Sequence, residues 1–246
     1  MRIVGIGPGP AEWLTPQAHR VLHDSTDVIG YIPYINALPA TVTATRHATD
    51  NRVELDRARH GLTLAAAGAR VAIVSGGDAG IFGMASAVFE AVEEGEPGWR
   101  ELDIEVIPGL TALLAAAARV GAPLGHDFCV LSLSDYLKPA SIIEQRLRSA
   151  SEGDFVLVIY NPASATRRET LEGIVAALPA PLNEASYENG RRVFAQCRSC
   201  HLVEKGAGNR VGLLFFELLD DIHGKSLSWH GEGRRSGAVF GQSTAS

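Results

Sequence analysis

The sequence predicts an α/β fold with mostly parallel sheets, and three observations carry that expectation. Short apolar runs alternate with segments of helical spacing from residue 1 to about 180. Several of the runs, notably 71–74 and 155–160, are β-branched or apolar almost throughout, as in strands covered on both faces. Glycine- and proline-rich loops follow the strands, and sheets of this kind bind ligands beyond the carboxyl ends of their strands.

The elements follow in order. Residues 2–6 read as a short buried strand, 15–22 as a helix and 27–29 as a strand. Residues 55–67 have helical spacing and stop at Gly68, a residue suited to closing a helix. A strand at 71–74 precedes a helix at 83–93, and a strand at 104–107 precedes an alanine-rich helix at 111–120 that ends at Gly121. Next come a strand at 128–133, a helix at 141–149, a strand at 155–160 and a helix at 167–178. Pro179-Ala180-Pro181 then interrupts the pattern, and residues 231–246 form a Gly- and Ser-rich tail expected to be loose.

Composition narrows the function. Hydrophobic residues make up 46% of the 246 and charged residues 20%, an ordinary globular mix. The net charge of −6 gives no basic surface for phosphates, so no nucleic-acid partner is expected. No run reaches the roughly 20 apolar residues that span a bilayer, so no membrane partner is expected. The first residues run directly into a strand without a signal-peptide pattern, and the expected location is the cytoplasm. The cysteines, Cys129, Cys197 and Cys200, are then expected to be reduced thiols.

Four loops stand at strand ends. Gly5-Ile6-Gly7-Pro8-Gly9-Pro10 differs from the dinucleotide pattern G-x-G-x-x-G, and Pro8 lacks a donor that a phosphate cradle would use; a tight strand-to-helix turn explains it equally well. Ser75-Gly76-Gly77-Asp78-Ala79-Gly80-Ile81-Phe82-Gly83 places one carboxylate among glycines, able to accept from a ribose hydroxyl or an amino group, although Gly-Asp also makes ordinary turns. Pro108-Gly109-Leu110-Thr111-Ala112 opens a helix that Thr111 could cap, and helix N-termini offer free N–H groups. Tyr160-Asn161-Pro162-Ala163-Ser164 ends the most apolar strand. Jointly the four loops suggest one elongated pocket for a polar cofactor.

In this order, G-x-G-P-G, S-G-G-D-x-G-I-F-G, P-G-x-T-A and Y-N-P resemble the tetrapyrrole methylases, over roughly residues 1–178. Within that family, Gly125-His126-Asp127-Phe128-Cys129, Leu131-Ser132-Leu133-Ser134-Asp135 and Arg167-Arg168 are most similar to the branch that methylates precorrin-3B at C17, contracting the macrocycle to precorrin-4. The resemblance implies two α/β domains, at 1–113 and 114–181, with the cofactor in a trough between them, usually in a homodimer. It implies S-adenosylmethionine as methyl donor and a tetrapyrrole as small-molecule substrate. By position, Pro8, Gly76, Gly77, Asp78, Ile81, Thr111, Ala112 and Tyr160 would contact the cofactor, Asp78 through its carboxylate. Tyr31, Ser132 and Asp135 are the candidate catalytic residues, with Tyr34 and Ser134 beside them; ordinary packing explains the tyrosines equally well. His47, His60 and His126 are unclustered in sequence and read as surface or capping residues.

The pattern departs from the family after the helix at 167–178. An expected strand with an Arg-Asn-x-Gly-like loop and a closing strand are missing, which predicts a truncated second domain, an irregular C-terminal segment and impaired activity. Residues 213–216 are one run able to supply a replacement strand. Residues 182–246 contain Asn189-Gly190-Arg191-Arg192-Val193-Phe194 followed by Cys197-Arg198-Ser199-Cys200-His201, which resembles the haem-attachment segment of a c-type cytochrome. The alternative function is thus electron transfer through haem c held by Cys197, Cys200 and His201. No methionine follows His201 to complete such a site, and a zinc site or a free thiol pair are the other readings.

Overall fold

The structure, a computed structural model, describes residues 1–51, 53–120, 124–125, 127–134, 138–153, 155–161 and 213–215. The chain divides into two compact units, the first over Met1–Ala115 and the second starting at Ala116.

The first unit holds five strands: β1 (Arg2–Gly5), β2 (Asp27–Tyr31), β3 (Thr45–Thr49), β4 (Val71–Ser75) and β5 (Glu105–Ile107). They form one sheet in the order β3-β2-β4-β1-β5, every pair parallel. Four helices cover it: α1 (Pro16–Asp24), α2 (Ile32–Ala37), α3 (Glu54–Ala66) and α4 (Met84–Glu94), and α5 (Ala112–Val120) follows β5. Thr15 starts α1 as its cap, its hydroxyl oxygen accepting from Ala18 N–H at 3.1 Å, with Pro16 in the first turn.

Strand side chains alternate between two cores. Ile3, Ile29, Val71 and Ile73 pack with Ala58 and Leu62 of α3 and with Met84, Ala85 and Val88 of α4. Val4, Val28, Ala72, Val74 and Ile107 pack with Ala18 and Leu22 of α1 and Ile35 of α2. Burial on both faces is why the strands are apolar at consecutive positions, each large side chain contributing about 2 kcal/mol. The chain leaving β1 skips β4 to reach β2, and the chain leaving β4 skips β1 to reach β5. The connections therefore part between β1 and β4, at the switch point where such sheets bind ligands.

The second unit has β6 (Phe128–Ser132), α6 (Ala140–Glu152), β7 (Val156–Tyr160) and β8 (Leu213–Phe215), with its sheet in the parallel order β6-β7-β8. Leu133, Ile143, Leu147, Leu157, Val158 and Ile159 are buried. The run at 213–216 supplies a strand within the segment expected to be irregular, pairing Leu157 with Leu213 and Ile159 with Phe215.

The fold class agrees with the sequence expectation, and so does nearly every described element. Among the described strands and α-helices, two went unpredicted, and so did the short 3-10 turns at Ala11–Trp13 and Pro97–Glu101. α2 is six residues long, too short to show a period. β3 is an edge strand of sequence TRHAT with three exposed positions, so it carries no apolar signal. The helix expected at 167–178 lies outside the described residues.

Candidate functional site

In the first unit the site is built from three neighbouring strand tips. β4, β1 and β5 are adjacent, so the loops that follow them emerge side by side. Gly7 and Gly77 exchange backbone hydrogen bonds of 3.0 and 2.9 Å in an isolated antiparallel bridge. Both have positive φ, 76° and 67°, a conformation that glycine adopts without strain. The third tip presses against the other two. A Cβ added at Gly5 would stand 2.6 Å from the Gly109 nitrogen and 2.8 Å from the Gly77 carbonyl oxygen.

Asp78 fastens this arrangement. Its Oδ1 accepts from Gly80 N–H at 2.8 Å, and its Oδ2 accepts from Gly109 N–H at 2.9 Å. One carboxylate thus sets the turn of the second loop and ties that loop to the third. Each oxygen retains capacity for another donor, so two hydroxyls of a ribose could be accepted here. Ile81 and Pro8 are half-buried nearby in sequence, and Thr111 is buried, its carbonyl accepting from Ala115 N–H at 3.3 Å at the start of α5. Phe82 has φ 50° and is 52% exposed, an apolar ring held outward by a backbone conformation unusual outside glycine.

Tyr31 and Tyr34 flank the second loop. Their rings meet edge to face with centroids 5.5 Å apart. Tyr34 lies so close to Gly76 that a Cβ there would sit 2.6 Å from the phenol ring. Burial pushes the Tyr34 hydroxyl pKa up, helped by Tyr31 and opposed by the Arg57 guanidinium. Arg57 is 4% exposed. It donates to Thr49 Oγ1 at 2.6 Å, to the Asp50 carbonyl at 2.7 Å and to Met84 Sδ at 3.3 Å, joining the end of β3 to the start of α4.

In the second unit Tyr160 ends β7, buried, its carbonyl accepting from Leu133 N–H at 2.9 Å. Ser132, also buried, ends β6. Its hydroxyl oxygen accepts from Asn161 Nδ2 at 2.9 Å and from Ser134 N–H at 3.2 Å, which braces the two strand ends against each other. Asn161 takes φ 53°, a conformation asparagine tolerates.

Among the sequence-predicted residues, the first unit thus brings together Gly76, Gly77 and Asp78 with Gly7 and Gly109. Ser132 and Tyr160 stand at adjacent strand ends of the second unit. Asp135, Cys197, Cys200, His201 and His126 lie outside the described residues. His47 and His60, unclustered in sequence, meet with ring nitrogens 3.2 Å apart, His47 half-buried and His60 exposed. Among the described residues no group of three or more His, Cys, Asp or Glu is placed to hold a metal. Arg57 escaped sequence reasoning, and Asn161, named there within its loop, was read as turn chemistry without its bond to Ser132. An arginine in a helix reads as solvated surface, and Asn-Pro reads as a turn.

Comparison with known proteins places this geometry in a family. Residues 2–198 match the model described as Tetrapyrrole (Corrin/Porphyrin) Methylases, a span that takes in Cys197 and stops before Cys200 and His201. A precorrin-3B C(17)-methyltransferase from Sinorhizobium sp is 48% identical over 182 residues, covering 72% of each chain. A probable cobalt-factor III C(17)-methyltransferase from Salmonella typhimurium is 43% identical over 171 residues, covering 68% of each. The cobalamin biosynthesis protein CobIJ of Mycobacterium bovis is 50% identical over 165 residues, which is 67% of this chain and 32% of that protein. The crystal structure of the methyltransferase CobJ superposes with a TM-score of 0.68 at 49% identity, over 72% of this chain and 73% of that one. By both its sequence and its fold, the chain belongs to the tetrapyrrole (corrin/porphyrin) methylases.

Proposed function

We propose that this methylase is a methyltransferase of cobalamin biosynthesis that moves a methyl group from S-adenosylmethionine to C17 of precorrin-3B. The observation that carries the reading is the convergence of three glycine tips on Asp78, which lines that place with backbone groups and a carboxylate. A sulfonium donor brings an already activated methyl group, so the protein is asked for alignment and exclusion of water rather than for strong acid–base groups. Gly76, Gly77 and Asp78 bind the donor, the carboxylate accepting ribose hydroxyls; Pro8, Ile81, Thr111 and Ala112 complete its surroundings. Alignment of this kind contributes on the order of 7–11 kcal/mol to lowering a barrier. The names of the relatives support the corrin substrate and the ring position. A homodimer belongs to the same proposal.

The test is incubation of the purified chain with methyl-labelled S-adenosylmethionine and either precorrin-3B or its cobalt-containing counterpart. Label entering the metal-free macrocycle at C17 is the expected result. Label entering only the cobalt form would reassign the substrate. Donor binding by calorimetry with no label in either macrocycle would refute catalysis.

A further inference from the structure

The loop that carries Asp78 also carries an aromatic ring that the donor site does not use. Phe82 stands four residues beyond Asp78, with φ 50° and 52% of its surface exposed. A bulky side chain in this left-handed region is rare, and it persists only where the surroundings fix the backbone. Here they fix it on both sides. Before Phe82, Ile81 N–H donates to the Asp78 carbonyl at 3.4 Å. After it, Met84 N–H donates to Ser75 Oγ at 3.3 Å, and Ala85 N–H to the Ala79 carbonyl at 3.0 Å. Gly83 is packed so closely that an added Cβ would stand 2.7 Å from both the Ala79 carbonyl oxygen and Ser75 Oγ. Ala79 and Met84 are buried, so the loop is anchored on either side of the exposed ring. Other apolar groups share this end of the sheet. β2 lies beside β4, and after its last residue, Tyr31, comes Ile32, also exposed. Tyr34 packs against Gly76 at the tip of β4.

We propose that Phe82 is a substrate-binding residue whose ring packs against the tetrapyrrole acceptor, with Ile32 extending the apolar rim. This rests on the methyltransferase reading and adds to it the side chain that holds the macrocycle. A donor held at Asp78 must bring its methyl group to about 3–3.5 Å from a ring carbon, so the macrocycle has to lie across the strand tips. Four residues of chain span at most about 14 Å, and a tetrapyrrole with its side chains is broad enough to meet the donor and Phe82 together. A phenyl ring gains from offset or edge contact with another π system, and water leaves both apolar surfaces when they meet. That gain is a reason to hold a large ring in solvent on a backbone conformation that a smaller residue would adopt more readily. The ring takes no part in the transfer itself; it sets the acceptor's position.

The experiment measures two affinities on the full chain. S-adenosylmethionine is titrated by calorimetry. Precorrin-3B is titrated through its absorption in the presence of S-adenosylhomocysteine, which occupies the donor site without allowing turnover. Phe82→Gly and Phe82→Asn remove the ring with residues that accept positive φ, so the loop keeps its course. Both should bind precorrin-3B about 10-fold more weakly, equal to about 1.4 kcal/mol, with donor affinity at the parent level. Phe82→Tyr keeps the ring and should stay within about 2-fold of the parent. Macrocycle affinity unchanged in Phe82→Gly and Phe82→Asn overturns the proposal. A parallel fall in donor affinity also overturns it and assigns the ring to the cofactor. Conversion of a dimer to a monomer by these variants, read by light scattering, overturns it by assigning the ring to a second copy of the chain. A parent chain that binds the donor but no macrocycle defeats this proposal and the methyltransferase reading together. A parent that methylates precorrin-3B, beside variants that bind it equally well, defeats this proposal alone.

Discussion

Replacing Asp78 with alanine removes two acceptors at once, and the structure says how much each contributes. The bond from Gly109 N–H, at 2.9 Å, is partly buried, and its loss leaves that donor without its acceptor; a hydrogen bond to a charged group there contributes about 2 kcal/mol. The bond from Gly80 N–H, at 2.8 Å, is exposed, and water replaces most of it, leaving about 1 kcal/mol. Asp78→Ala should therefore destabilise the protein by about 3 kcal/mol, lowering Tm by about 9 °C. Asp78→Asn keeps one carbonyl acceptor and should cost about half as much, because its amide nitrogen can turn toward the exposed side. Both variants should also bind S-adenosylmethionine more weakly, as the second and third loops lose their tie. Thermal melts paired with calorimetric titration separate the two effects. If Asp78→Ala melts with the parent protein while cofactor binding is lost, the carboxylate serves the ligand alone, and its role as a fastening between loops is refuted.

Three further outcomes follow from the same geometry. Gly109→Ala places a methyl group against the backbone at Gly77 and Gly5, where no side chain can give way; a loss of about 3 kcal/mol is expected in denaturant unfolding, and a change under 1 kcal/mol would show that the three tips can separate freely. Asn161→Ala deprives Ser132 of its side-chain donor and should cost about 1 kcal/mol in stability, measured by urea unfolding. The Tyr34 pKa is raised in the folded state, so its contribution is fully present below the ordinary tyrosine value of about 10 and is lost as pH rises above it; Tyr34→Phe should flatten that alkaline limb in pH-dependent melts, and an unchanged limb would exclude Tyr34 as its source.

Much of the molecule was legible before any coordinate. Residues 71–74 and 155–160 announced buried strands because covering both faces leaves no polar position to interrupt the run. Thr15 and Gly68 marked helix ends through local chemistry that needs only nearby residues. The glycine loops announced a site because only glycine permits the close approach seen at Gly5 and Gly109 and takes the positive φ of Gly77 without strain. The elements that escaped were those whose stability comes from elsewhere. β3 is polar because it is paired on one edge only, and α2 is shorter than the period that would reveal it.

By itself, then, the chain's order of residues determined the alternation of strands and helices, the loops that hold the chemistry and the family to which they belong, since each is written in local spacing. Only the tertiary structure decided that Asp78 joins two loops 31 positions apart, that Ser132 is held by Asn161, and that His47 and His60 share a hydrogen bond next to Asp27. The physical reason is that these contacts depend on strand order and helix placement, which bring together residues distant along the chain, and no local period encodes them.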